Sequence, residues 1–254
     1  MFMKMNSMIN NFSVVIPVFN EEEIFLGSAN KIYNICQEMN IPFEIIFSEN
    51  GSTDNTINLI QTFINDKNNC FMISNDYANY GLALKNGFEN AKNEIVISFD
   101  IDYFSKKFLK QALQLDENFV ALVASKRLSE SEDERTFVRK MATSIFVLIL
   151  KLLFQTSLSD THGMKAIRKL NIQKEINNVI STQDIFDTEL LIRIERSGFN
   201  IQEVPAKVNV SVPTVTVSLL PLSAAIVNAE EILAVLAAVI LPFASTVITG
   251  IAVL

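Results

Sequence analysis

Apolar and polar positions alternate along the first hundred residues in blocks, and the blocks predict strands and helices in turn. Phe12-Ser-Val-Val-Ile-Pro-Val18 is an apolar run suited to a buried strand, with Pro17 near its end, where a missing N–H is tolerable. Asn20-Glu-Glu-Glu23 follows, and acids favour a helix N-terminus. Phe25, Ala29, Ile32, Cys36 and Met39 then form a helical stripe that Pro42 ends. Phe43 to Ser48 reads as a second strand and Glu49 to Asp54 as a polar turn. Ser52 or Thr53 is placed to cap a helix carrying Ile57, Ile60 and Ile64. A third strand is expected near Cys70 to Ser74, a polar loop from Asn75 to Gly81, a short helix from Leu82 to Ala91 and a strand from Ile95 to Phe99. Strand and helix in alternation predict an α/β fold, a mostly parallel sheet with helices on both faces.

The fourth strand runs straight into Asp100-Ile-Asp102. Residues two apart in an extended segment point to one side, so the two carboxylates can converge on a hard cation such as Mg²⁺ or Mn²⁺, which in turn holds phosphate. The alternative is a strand end followed by a helix near Ser105 to Gln114, with Asp102 as its cap. Parallel sheets bind ligands at the carboxyl ends of their strands. Glu49, Asp76, Asp100 and Asp102 all fall there, which suits a metal–diphosphate site. No G-x-G-x-x-G or Walker motif is present.

Composition narrows the classes. The chain has 254 residues, 49% of them hydrophobic, and a net charge of -7 without a Lys/Arg-rich run, which argues against nucleic acid as a partner. Cys36 and Cys70 lie in apolar patterns and read as buried thiols of a reducing compartment. Met1 to Asn11 holds no run resembling a signal peptide, so the catalytic part is expected to be cytoplasmic. Lys207 is the last basic residue, and beyond it only Glu230 and Glu231 are charged. The shift divides the chain into a domain over 1–212 and an apolar segment over 213–254. Ile232 to Leu254 carries no charge and as a helix would reach roughly 34 Å, enough for a bilayer core, despite Pro242 and Gly250. A buried or interfacial hairpin with the apolar Leu219 to Ala229 is the alternative; the length favours membrane attachment.

Several motifs in order resemble family 2 glycosyltransferases of the GT-A (Rossmann-like) fold. They are Val15-Ile-Pro-Val-Phe-Asn-Glu-Glu22, Glu49-Asn-Gly-Ser-Thr-Asp-Asn-Thr56, Asn79-Tyr-Gly-Leu-Ala-Leu-Lys-Asn-Gly87 and Asp100-Ile-Asp102. The likeness runs from about Phe12 to Val210 and is strongest to the dolichol- or polyprenyl-phosphate sugar synthases. It implies that Pro17, Asn20 and Glu22 line a nucleotide pocket. Glu49, where the family usually has Asp, would accept from base or ribose. Asp76 would lie near the base, and Lys85 and Gly87 beside the donor. Asp100 and Asp102 would serve metal, ribose and diphosphate.

Ala124-Ser-Lys-Arg127 resembles the strand end on the family's acceptor side, and the resemblance gives Ser125, Arg127, Arg139 and Lys140 to the acceptor phosphate. The alternative for Arg139-Lys140 is a solvated helix start. The apolar helix Met141 to Phe154 matches one that lies in the membrane interface in this branch. Asp160-Thr-His-Gly-Met-Lys165 resembles a segment whose acid reaches the active centre, which implies a catalytic role for Asp160 beside Asp102 and Arg127. Phe186-Asp-Thr-Glu189 resembles an Asp-x-Glu helix start; acids at a helix N-terminus are the alternative. His162, the only histidine, falls in the Asp160 segment. The chain has no tryptophan and so lacks the Q-x-x-R-W segment of processive synthases, which favours single-sugar transfer. Val208-Asn-Val-Ser-Val-Pro-Thr lacks the basic residues usual after the branch's Glu-Val-Pro strand.

The expectation is a metal-dependent inverting glycosyltransferase using Mg²⁺ or Mn²⁺. It would move one sugar from a UDP- or GDP-sugar to a polyprenyl (dolichyl or undecaprenyl) phosphate at the membrane. The alternatives are transfer to a glycan or glycolipid hydroxyl, with Asp160 or Asp187 as base, and a non-catalytic sugar-nucleotide-binding membrane protein. Membrane lipids are expected partners, and a homo-oligomer is compatible with the sequence.

Overall fold

The structure, a computed structural model, describes residues 9–128, 131, 137–181 and 185–206, with side chains along 137–143 excepted. The apolar segment expected over 213–254 lies outside the described residues. Seven strands form one sheet: β1 (Phe12–Val18), β2 (Phe43–Glu49), β3 (Cys70–Ser74), β4 (Ile95–Ser98), β5 (Phe119–Ser125), β6 (Lys165–Arg168) and β7 (Asn200–Pro205). Their spatial order is β3-β2-β1-β4-β6-β5-β7. The helices are α1 (Phe25–Gln37), α2 (Thr56–Ile64), α3 (Tyr80–Asn90), α4 (Lys106–Ala112), α5 (Phe137–Phe154), α6 (Gln173–Asn178) and α7 (Phe186–Arg196).

Alternate strand residues face opposite layers. Val14 and Ile16 of β1, with Ile45 and Phe47 of β2, pack under Phe25, Ala29 and Ile32 of α1, Ile60 and Phe63 of α2, and Phe108 of α4. Val15 and Ile46 turn the other way, onto Leu84 and Phe88 of α3, Ile176 of α6 and Leu190 of α7. Burial on both faces explains the unbroken apolar runs of the central strands. The helical stripe is buried as expected from Phe25 to Cys36, but α1 stops at Gln37, and Asn40 adopts a left-handed φ of 56° before Pro42. Gly87, expected beside the donor, has a packing role: a Cβ there would come within 2.2 Å of Val15 Cγ1, so α3 rests directly on β1.

Strands β1 to β4 are parallel, as are β5 and β7. The short β6 runs antiparallel to both neighbours, pairing Lys165 with Ser98 on one side and with Val123 on the other. Its amino end therefore arrives at the edge where β4 and β5 finish. That reversal brings the Asp160–Lys165 segment to the same edge as Asp100.

Candidate active site

On the β1–β2 side, two loops are fastened together. Asn20, with φ 51°, donates its N–H to Ser52 Oγ at 3.0 Å and accepts from Thr53 N through Oδ1 at 2.8 Å. Glu21 N donates to Thr56 Oγ1 at 2.8 Å, and Glu22 Oε2 accepts from Asn55 N at 2.9 Å. Pro17 is buried within β1 opposite Ser48. The expected pocket residues Asn20 and Glu22 thus spend their side chains on the neighbouring loop. The acid of this loop that lies in the field of the D-x-D pair is Glu21. Burial raises its carboxyl pKa, and Asp102, Asp54 and Asp100 push the same way.

Glu49 is fully buried. Its Oε1 accepts from Ser52 N at 2.5 Å and its Oε2 from Ser74 Oγ at 2.6 Å, so it braces β2, the following turn and β3. Asn50 Oδ1 accepts from Asn79 N at 2.6 Å. Gly51, at φ 75°, lets this turn approach the next loop: a Cβ would stand 2.7 Å from the Tyr77 carbonyl carbon. Asp76 and Tyr77 are exposed on that loop. Lys85 points elsewhere, donating to Val179 O at 3.1 Å below α6.

Beyond β4, Asp100 and Tyr103 exchange backbone hydrogen bonds at 3.2 and 3.1 Å, making a tight turn. The Tyr80 hydroxyl donates to Asp100 Oδ1 at 3.1 Å. Asp100 is half-buried and Asp102 exposed. Burial raises the Asp100 pKa, with Asp187 and Asp102 adding to it; the Lys165 ammonium and the Tyr80 hydroxyl oppose it. The α4 cap is Ser105, whose Oγ accepts from Phe108 N at 3.2 Å, so the alternative role for Asp102 is taken by another residue.

The loops after β1, β2 and β4 thus bring Glu21, Asp54, Asp100 and Asp102 into each other's field. Among the described residues no group of three or more His, Cys, Asp or Glu is arranged to hold an ion alone. Hard carboxylate oxygens that leave coordination positions for phosphate oxygens fit Mg²⁺ or Mn²⁺ bound together with a nucleoside diphosphate.

The other wall comes from β5, β6 and α7. Ser125 Oγ lies 2.6 Å from Ser159 Oγ. Asp160, buried, accepts from Lys126 N at 3.1 Å and from His162 N at 3.0 Å. The Lys126 ammonium lies 4.9 Å from the Tyr103 ring centroid, over the D-x-D turn. Arg127 is exposed and donates to Ser144 Oγ of α5 at 2.8 Å. Arg139 and Lys140 fall in the first turn of α5, and their side chains lie outside the described residues. Lys165 Nζ sits 2.7 Å from Asp187 Oδ2 and donates to Gly163 O at 2.7 Å. His162 is exposed, its ring centroid 5.6 Å from that of Phe146 of α5.

Glu21, Lys126 and Lys165 are thus added to the residues the sequence singled out. Glu21 stands in a run of three glutamates with no periodicity to select it. Lys126 adjoins the expected Arg127. Lys165 closes a recognised motif whose chemistry was assigned to Asp160.

Comparisons with known proteins agree with this fold. The model of a family described as "Glycosyl transferase family 2" matches residues 13–175. An undecaprenyl-phosphate 4-deoxy-4-formamido-L-arabinose transferase of Serratia proteamaculans (strain 568) is 25% identical over 173 residues, covering 66% of this chain and 52% of that protein. The protein of the same name from Proteus mirabilis (strain HI4320) is 31% identical over 97 residues, 37% of this chain and 29% of its own length. The chain therefore spans about half or less of these relatives. Among solved structures, a mannosyltransferase from Pyrobaculum calidifontis in complex with GDP-Man and Mn²⁺ aligns with a TM-score of 0.54 at 16% identity, over 78% of this chain and 55% of that one. A glucosyl-3-phosphoglycerate synthase from Mycobacterium tuberculosis, with Mn²⁺, UDP and product, aligns at 0.52 and 19% identity over 78% and 71%. These likenesses give the GT-A fold.

Proposed function

The chain belongs to glycosyl transferase family 2, and on that premise we propose that it moves a single sugar from a UDP- or GDP-sugar to a polyprenyl phosphate at the membrane, with inversion. The observation that carries this reading is the edge where the Asp100/Asp102 turn meets Lys126: carboxylates on one wall, an ammonium on the other. Asp100 and Asp102 would hold Mg²⁺ or Mn²⁺, which when bound supplies charge neutralisation for the departing diphosphate. Glu21 and Asp54 extend the acidic wall toward the ribose, while Asp76 and Tyr77 are exposed at the rim for the base.

A phosphate acceptor is already anionic and needs no strong base. The acceptor-side acids suit that case. Asp187 is paired with Lys165, and each oxygen of Asp160 accepts a backbone N–H. Those bonds give Asp160 a positioning part, with no proton to be removed from the acceptor. Lys126, Arg127 and Ser125, with Arg139 and Lys140 in the following helix, would gather the acceptor phosphate and hold it for in-line attack. Helix α5 exposes Ile145, Leu148, Leu152 and Leu153, apolar area suited to a lipid surface. No helix among the described residues is long and apolar enough to cross a membrane. The names of the relatives, undecaprenyl-phosphate transferases, point to the same acceptor class.

The test is incubation of membranes containing the full chain with Mn²⁺ or Mg²⁺, polyprenyl phosphate and a panel of UDP- and GDP-sugars. Released nucleoside diphosphate and labelled lipid are read together. Lipid-dependent release supports the reading; release only with a glycan acceptor replaces it with hydroxyl transfer; nucleotide binding with no release under any acceptor rejects catalysis.

A further inference from the structure

Glu203, on the edge strand β7, is turned toward the segment that carries Asp160. Its Oε1 accepts from Ser159 N at 3.0 Å, from Ser159 Oγ at 2.8 Å and from Asp160 N at 3.3 Å, and its Oε2 lies 3.2 Å from Ser159 N. One carboxylate therefore takes the donors of two successive residues. The hold continues onward. Ser159 Oγ meets Ser125 Oγ at the end of β5, and Asp160 passes its two oxygens to Lys126 N and His162 N. Lys126 in turn places its ammonium over Tyr103, which is bridged to Asp100.

Two carboxylates lie in this short relay, one receiving the other's own N–H. An amide or hydroxyl would close a merely structural turn, whereas Glu203 spends both carboxylate oxygens on the two residues that set the Asp160 segment. We propose that Glu203 is a positioning residue for glycosyl transfer, acting through Ser159 and Asp160 to fix the Lys126 end of the site. The proposal rests on the glycosyltransferase reading above. It assigns Glu203 to the acceptor side, since its own hydrogen bonds go to Ser159 and Asp160.

The test uses the full chain in membranes with nucleotide-sugar and polyprenyl phosphate, comparing Glu203→Ala, Glu203→Gln, Asp160→Asn and the double variants. Glu203→Ala is expected to lower kcat about 10²-fold by misplacing the segment. The KM for the donor stays at its wild-type value. Glu203→Gln keeps reach and an acceptor oxygen, and returns activity to within about ten-fold of wild type. In the Asp160→Asn background, Glu203→Ala costs at most about two-fold more, because the two act as one unit.

Losses that multiply in the double variant, or a donor KM that rises as kcat falls, overturn the proposal and leave the function intact. If Glu203→Ala does not fold, the same cycle is read with Glu203→Gln, with the same two outcomes deciding. A wild-type chain that releases no nucleotide with any acceptor rejects the functional reading and this proposal together.

Discussion

Lys165 and Asp187 meet at 2.7 Å with both side chains almost wholly buried, and both charges act on the acid that begins the D-x-D turn. Asp187 Oδ1 has no hydrogen-bond partner among the described residues, so the lysine is its main compensation. Removing one member leaves an uncompensated buried charge. Lys165→Met should lower unfolding free energy in urea by about 3 kcal/mol. Lys165→Met with Asp187→Leu should recover most of that loss, because a buried pair contributes little net stability over an apolar one.

Asp102 is exposed and caps nothing, so its removal separates chemistry from folding. Asp102→Ala should abolish nucleotide release while changing stability by less than about 0.5 kcal/mol. Full activity in that variant would remove the D-x-D pair from the mechanism.

Asp100 gives a pH dependence of definite sign. Burial, then Asp187 and Asp102, raise its pKa above the ordinary value of 3.8, net of Lys165 and Tyr80. Between the ordinary and the raised value, the folded chain holds a proton that the unfolded chain has released. Stability therefore falls as pH rises through that window, and the loss persists at neutral pH. Asp100→Asn should raise the melting temperature at pH 7 and leave it unchanged near pH 3, where both states are protonated. Adding Mn²⁺ should raise the melting temperature of the wild type at pH 7 and not that of the variant. Equal shifts at both pH values would contradict the assignment.

Gly163 occupies a place that admits no side chain. A Cβ there would lie 1.8 Å from Ala124 O, so the segment before β6 touches the β5 backbone. Gly163→Ala should cost about 3 kcal/mol by overpacking and should displace Lys165 and Asp160 together. Denaturant melts and nucleotide release, read on one preparation, should fall in step.

On the proposed reading, Lys126 separates acceptor from donor. Lys126→Ala should raise the KM for polyprenyl phosphate about ten-fold, the value of one charge-assisted contact, with the donor KM unchanged. An equal rise in both would place the ammonium on the diphosphate instead.

The sheet was largely legible because its central strands are buried on both faces and write themselves as apolar runs. β6 was not. Its four residues begin with Lys165 and end with Arg168, which looks like surface until Asp187 and Glu94 are found against them. No local pattern announces that a strand will run backwards between two parallel neighbours. At the site, the D-x-D pair stands out by its position after a strand, whereas Glu22 enters through the resemblance; its carboxylate accepts from Asn55 N, and it is Glu21 that lies in the field of Asp100 and Asp102. Glu49 was seen as a ligand acid; Ser52 and Ser74, 3 and 25 residues away in sequence, take both its oxygens.

The backward strand also sets an order of assembly. β1 to β4 join by parallel units that follow one another along the chain, so this half of the sheet can form as soon as those residues are available. The other half must wait: β6 has to slide between β4 and β5, and β7 then closes outside β5 with Glu203 in place. Pairing Ser98 with Lys165 spans 67 residues, and contacts of such separation form slowly. On the proposed reading, a chain emerging from the ribosome would thus acquire its donor edge first, and its competence to transfer only when the last strand docks.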